Sequence, residues 1–194
     1  MALGIADTRA KFISFCAGWT GSTHDSMAWS SSQLYEKLDA GLLPAEYFLI
    51  GDEAFSTTEY LLSPWPGRGL GRWKDSFNYH LSAERQCIER AFGIFVKRWG
   101  ILQRKFIFEY DKWPLVTTVL AKLHNLCIDQ NVDIAARWPD DIRPGDLPEV
   151  HLNDYEEANA DHRDHAVGQR RRQITKWLED RGIGRAVHSN NSRA

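Results

Sequence analysis

Residues 82–100 read SAERQCIERAFGIFVKRWG, and the spacing of apolar side chains in this stretch decides the fold class. Ile88, Ala91, Phe92, Phe95, Val96 and Trp99 fall at i, i+3, i+4, i+7, i+8 and i+11, which is one face of an α-helix. Ser82 is the expected N-cap, with Glu84 favourably placed in the first turn. Glu89 flanks the apolar face instead of opposing it, and Arg85 and Gly93 lie on its strip, four residues to either side. Gly93 would let a backbone or a nucleic-acid strand approach closely.

A second helix is expected from Pro114 to Asp129, with Pro114 at its first position and Val116, Val119, Leu120, Leu123 and Cys127 on the apolar face. Upstream, ALGIAD (2–7) and KFISFCAGW (11–19) are two runs of strand length suited to a hairpin. GSTHDS is a polar loop, and SMAWSSSQLYEKLDAGL reads as one helix ended by Gly41. YFLIGD (47–52) is the next strand, and SPWPGRGLGRW is a loop. Strands, a helix, another strand and then long helices predict an α/β fold with helices packed on a thin sheet.

The length of 194 residues suits one sizeable core, here residues 1–130. Between Pro139 and His165 nine acidic residues face only Arg143 and Arg163, so residues 131–165 read as an acidic linker or arm. Residues 166–194 read as a basic helix, GQRRRQITKWLEDRGI, followed by a disordered tail. No apolar run approaches the ~18 residues of a membrane span, and the first residues lack a signal-peptide core, so a soluble intracellular protein is expected. Cys16, Cys87 and Cys127 have no CxxC spacing and sit in apolar segments, as buried free thiols would. His80 is read as a cap for the helix at Ser82, and His124 with Asn125 as a satisfied, partly buried pair.

Asp52 stands at the C-terminal end of its strand, where α/β sheets place ligands. With Glu89 and Asp25 it could supply oxygen ligands to a hard divalent cation. Plainer readings stay open: Asp52 as turn initiator, Glu89 as solvated helix charge, Asp25 as N-cap. Arg85, Arg90, Lys97, Arg98, Arg104 and Lys105, with Trp99 and Phe106 interleaved, suit a nucleic-acid track or the polar face of an amphipathic helix. Arg170, Arg171 and Arg172 suit a DNA contact or part of a nuclear import signal.

The blocks CAGWTGSTHDS, LIGDEAF, FNYHLSAERQCIERAFGIFVKRWGIL and LAKLHNLCID, in this order, resemble the nuclease domain of PIF/Harbinger transposases and Harbinger transposase-derived nucleases. The resemblance covers roughly Ala2 to Gln130. It implies a DDE catalytic domain of RNase H-like fold that cleaves DNA with Mg²⁺ or Mn²⁺ by a two-metal mechanism. Asp52 in GDEAF matches the second catalytic Asp, and Glu89 in IERAFG, 37 residues on, matches the catalytic Glu. Asp25 in HDS matches an acid that supports or joins the metal site. DNA is the implied partner, with a separate DNA-binding protein or a second copy alongside it. No membrane is implied, and the nucleus is the expected location, with the cytoplasm as the alternative.

The chain departs from that pattern at its start. The family's first catalytic Asp lies on an earlier strand, in an Asp-Gly-Thr-like motif, and the usual helix-turn-helix precedes it. Asp7 matches a different acid, at the end of the family's second strand. An RNase H-like core lacking its first strand is therefore expected. It would be a fragment of a longer product, an inactive descendant, or a chain that takes the strand from a partner. Two functions stay open: a metal-dependent DNA endonuclease, and an inactive relic that binds DNA or protein.

Overall fold

The computed structural model describes residues 1–104, 109–132 and 168–185. Lys105 and Phe106, all but Asn131 and Val132 of the acidic arm, and the tail after Arg185 lie outside the described residues. The described elements mix helices with two small sheets, as an α/β chain should: β1 (Ala2–Ala6) pairs antiparallel with β2 (Phe12–Ala17), and β3 (Leu49–Ile50) pairs parallel with β4 (Leu61–Leu62). The helices are α1 (Asp25–Ser30), α2 (Gln33–Asp39), α3 (Arg72–Arg98), α4 (Trp113–Asp129) and α5 (Gln169–Asp180). The chain divides into two compact units, one of Met1–Thr23 and Cys87–Ala158, the other of His24–Gln86 and Asn159–Ala194.

In the first unit the hairpin closes on Asp7. Its Oδ1 accepts from the amides of Arg9 and Lys11, both at 2.9 Å, and its carbonyl accepts from Ala10. The register runs Ala2↔Ala17 to Ile5↔Ser14 and then slips to Ala6↔Phe12, leaving Ile13 as a bulge residue turned to solvent. Phe12 is thereby aimed at the core, where its ring lies 5.1–5.4 Å from Phe15, Phe92 and Phe95. Gly4 makes room for this cluster, since a Cβ there would stand 3.0 Å from Phe92 and 3.1 Å from Phe12.

Helix α4 grips the hairpin through polar groups. The Asn125 side chain accepts from Phe12 N–H and donates to Phe12 C=O, both at 2.8 Å, completing the backbone pairing as a neighbouring strand would. His124 is fully buried and donates through Nε2 to the Ala10 carbonyl at 2.8 Å. Lys11 reaches Asp129 at 2.7 Å. The buried face of α4 is thus Thr117, Ala121 and His124. The expected face is corrected: Val119 and Leu123 are exposed, because burying the amide and imidazole against the hairpin rotates the helix by about one residue.

The second unit is built around Leu62, Trp65, Phe77, Leu81 and Leu178. Asn78 repeats the device of Asn125: its side chain accepts from Trp65 N–H at 2.7 Å and donates to Trp65 C=O at 2.9 Å. Trp65 also donates from Nε1 to Thr175 at 2.9 Å, and its ring carries the Arg171 guanidinium 4.1 Å from its centroid. Arg171 is nearly buried and donates to the Pro64 carbonyl at 2.9 Å.

Several expectations are corrected here. Helix α3 begins at Arg72, not Ser82, because Phe77 and Leu81 extend its buried stripe backwards past the loop residues. His80 is therefore an interior helical residue, not a cap, and Val96 is exposed. The single helix expected after residue 25 breaks at Ser31 and Ser32, whose hydroxyls bond main-chain groups; Ser32 caps α2 through Tyr35 N–H at 3.1 Å. The strand at 47–52 shortens to Leu49–Ile50, because the chain turns at Asp52. The cysteines are free thiols, but Cys16 is exposed and Cys87 and Cys127 are only half-buried. No described helix is long and apolar enough to cross a membrane.

Candidate active site

Asp52 follows the tip of β3, and the local sequence explains its pose. Gly51 donates its amide to the Leu62 carbonyl at 2.9 Å, and a Cβ there would meet Phe55 at 2.9 Å, so only glycine fits against the ring without adjustment. Asp52 Oδ1 then accepts from Ala54 N–H at 3.0 Å, and its carbonyl accepts from Phe55 N–H at 3.2 Å. The turn-initiator reading of Asp52 is therefore correct as far as it goes. It fixes one carboxylate oxygen, and Oδ2 lies 3.6 Å from Arg85 Nη2. With 36% of the Asp52 side chain and 22% of the Arg85 side chain exposed, the pair is open to solvent ions.

Asp25 is the first helical residue of α1, one position past the N-cap, which is His24. Glu89 is exposed on α3, one turn beyond Arg85 in sequence. Asp25 and Asp52 belong to the second unit and Glu89 to the first. Asp7 is occupied in its turn and faces Arg9 at 3.6 Å. Among the described residues no three His, Cys, Asp or Glu side chains gather as a metal-holding group. What the structure brings together is Asp52 and Arg85. The spacing of Arg85 from Glu89 marked it in the sequence, but its contact with Asp52 is tertiary and had no sequence signal.

The basic residues fall into distinct environments. Arg90 donates to the Thr8 carbonyl at the hairpin turn, and Arg104 is exposed. Arg98 has Nε and Nη1 buried without a hydrogen-bond partner, and burial holds its guanidinium below the usual range. Gly93 has open space where a side chain would stand, as close approach from outside requires. Residues of the Arg170–Arg172 run make contacts within their own unit. Arg170 donates to the carbonyls of Tyr47 and Ala45, and Arg171 packs on Trp65.

Comparison with known proteins agrees with the motif blocks. The chain is 25% identical over 138 residues to Protein ALP1-like of Arabidopsis thaliana, a match covering 64% of this chain and 34% of that protein. It is 26% identical over 137 residues to Putative nuclease HARBI1 of Mus musculus, covering 68% of this chain and 38% of that protein. The chain thus spans little more than a third of the length of the curated relatives it matches. No solved structure matches it at a significant level. The resemblance to Harbinger transposase-derived nucleases is borne out by both relatives and by a family model, described as DDE superfamily endonuclease, that matches residues 2–125. With well over half of its length matched by that model, the chain belongs to the DDE superfamily endonucleases.

Proposed function

We propose that this chain is a metal-dependent DNA endonuclease domain with an RNase H-like core, in which Asp52 and Glu89 hold divalent cations and Asp25 assists. The observation that carries the reading is the pose of Asp52: within the family match, just after a strand tip, with one oxygen fixed by a turn and the other beside Arg85 on a partly exposed side chain. The donor set fits. Asp25, Asp52 and Glu89 offer hard carboxylate oxygens, and Mg²⁺ usually takes one or two carboxylates, completing its shell with water and substrate phosphate. Mg²⁺ or Mn²⁺ bound there would generate the attacking hydroxide and neutralise charge on the leaving oxygen of the phosphodiester.

The chain's own contribution is to orient and bind. The Gly51–Phe55 turn ties one oxygen of the Asp52 carboxylate to the Ala54 amide, which reduces the ordering needed when a ligand arrives. Arg85, Arg90, Lys97, Arg98, Arg104 and Lys105 are proposed to seat the DNA backbone, with Arg104 and the open surface at Gly93 giving that reading its best support. A separate DNA-binding protein or a second copy is the proposed further partner, and the nucleus the proposed location.

Plasmid nicking tests the proposal. The chain should nick supercoiled DNA in Mg²⁺ or Mn²⁺ and not in chelator, and Asp52→Ala with Glu89→Ala should abolish nicking. Cleavage that survives the double substitution refutes the assigned site. Salt-sensitive DNA retention without any cleavage would replace it with the inactive binding module.

A further inference from the structure

We infer that the outer face of α4 is the contact surface for a second copy of this chain, the two α4 helices packing antiparallel about a two-fold axis near the Leu120–Ala121 step. Of the two further partners proposed above, this selects the second copy, and it does not depend on the metal site.

The face is a product of how α4 docks. Thr117, Ala121 and His124 are buried, and His124 and Asn125 bond the main chain of the hairpin, which fixes the rotation of the helix. Large apolar side chains are left outside: Leu115, Val119, Leu123 and Leu126 are 40–68% exposed. At about 100° per residue, these four share roughly a quarter of the helix circumference. Single exposed leucines need no explanation, but four in line make a patch on the order of 350 Å², the size at which such patches mark contacts.

The order of residues along this face reads alike from either end. Leu115 stands as far before the Leu120–Ala121 step as Leu126 stands after it, and Val119 and Leu123 match to within one residue. A two-fold contact needs such self-complementarity, because each residue must meet its mirror position on the other copy. The charges at the two ends complete the match. Lys112, paired with Glu109 at 2.7 Å, precedes the step by as much as Asp129, paired with Lys11 at 2.7 Å, follows it. Antiparallel packing sets Lys112 against Asp129 of the second copy at both ends, and each helix N-terminus beside the other's C-terminus. Parallel packing would set like charges together. The exposed Lys122 falls opposite Val119, where its stem covers the valine and its ammonium stays in water. Two such patches bury about 700 Å², short of the ~1,200 Å² of a stable specific complex, so the dimer is weak, with a Kd on the order of 10–100 μM.

Sedimentation of the full chain from about 1 to 300 μM, which brackets that range, should show a monomer passing into a dimer. Val119→Glu, at an exposed position, should weaken the association at least roughly ten-fold by burying a charge in the contact, while thermal unfolding of the dilute chain stays unchanged. Orientation is read by mixing Leu115→Cys chains with Leu126→Cys chains under mild oxidation. A disulfide joining the two introduced positions, identified by the mass of the linked peptides, should exceed either self-pair. A chain that stays monomeric overturns the inference. Slow maleimide labelling of Val119→Cys in that monomer would assign the face to the chain's own residues, and fast labelling would leave it to a different protein. A dimer indifferent to Val119→Glu overturns the face, and self-pairs in excess overturn the antiparallel arrangement. None of these readouts involves metal or cleavage, so the nuclease reading stands or falls separately.

Discussion

Asn125→Ala removes the side chain that pairs with both backbone groups of Phe12, and the cost can be worked from the contacts. Two hydrogen bonds of 2.8 Å are lost, each with a net value of about 0.5–1.5 kcal/mol. Phe12 is only 6% exposed, so its freed N–H and C=O reach water poorly and add part of a desolvation penalty. A total of about 2–4 kcal/mol is expected for the hairpin unit. Because the chain has two units, a local readout is preferable to a global melt. Native-state hydrogen exchange at the Phe12 amide should accelerate at least roughly thirty-fold, the equivalent of ~2 kcal/mol. Asn125→Asp sharpens the test. It keeps an acceptor for Phe12 N–H but sets a carboxylate against Phe12 C=O, which raises the folded-state pKa of the new acid. The variant should then be more stable below the unfolded pKa and lose that stability as pH rises through the folded one. An Asn125→Ala protein that folds with Phe12 protection within three-fold of normal refutes the view that this amide stands in for a strand.

Three further outcomes follow from the packing. Gly51→Ala must push Phe55 aside, because its Cβ would lie 2.9 Å from the ring; about 1–3 kcal/mol of destabilisation is expected in urea unfolding, with weaker Mn²⁺ binding as the Asp52 turn loosens. Arg171→Met keeps apolar contact with Trp65 but loses the bonds to Pro64 and Thr57, so a cost of about 2–3 kcal/mol and faster exchange along α5 are expected. Burial pushes the His124 imidazole below its ordinary range, and the charge of Arg98 adds to this, while the bond to the Ala10 carbonyl opposes it. The unfolded chain therefore takes up this proton first. Stability should fall as pH drops below about 6.5, and His124→Gln, which cannot titrate, should flatten that slope.

Where a side chain's role depends on its own periodicity, the sequence was enough to read it. The hairpin strands, the stripe Ile88–Ala91–Phe92–Phe95 and the existence of α4 and α5 all follow from apolar spacing. The errors share a cause, which is polar residues acting as backbone partners. His124 and Asn125 are the satisfied, partly buried pair that the sequence suggested, but hydropathy did not show that they, and not Val119 or Leu123, dock α4 on the hairpin. Arg171 lies within a basic run that reads as solvated, yet it stacks on a core tryptophan. Asp52 was legible as a candidate because a strand precedes it and a turn must follow. Its companion Arg85, 33 positions later, was legible only as a cation, since no local pattern records which carboxylate a distant guanidinium will meet.

The dependence of Trp65 on α5 sets an order of events during synthesis. Thr175 comes 110 residues after Trp65, so the ring's hydrogen-bond partner and its covering guanidinium are still unmade when the rest of its neighbourhood has left the ribosome. Until α5 emerges, the nascent chain holds a tryptophan that lacks its α5 cover beside Leu62 and Phe77, a surface suited to chaperones or to aggregation. Truncation before Gln169 should thus be read out as poor solubility, even with every candidate metal ligand still in the chain.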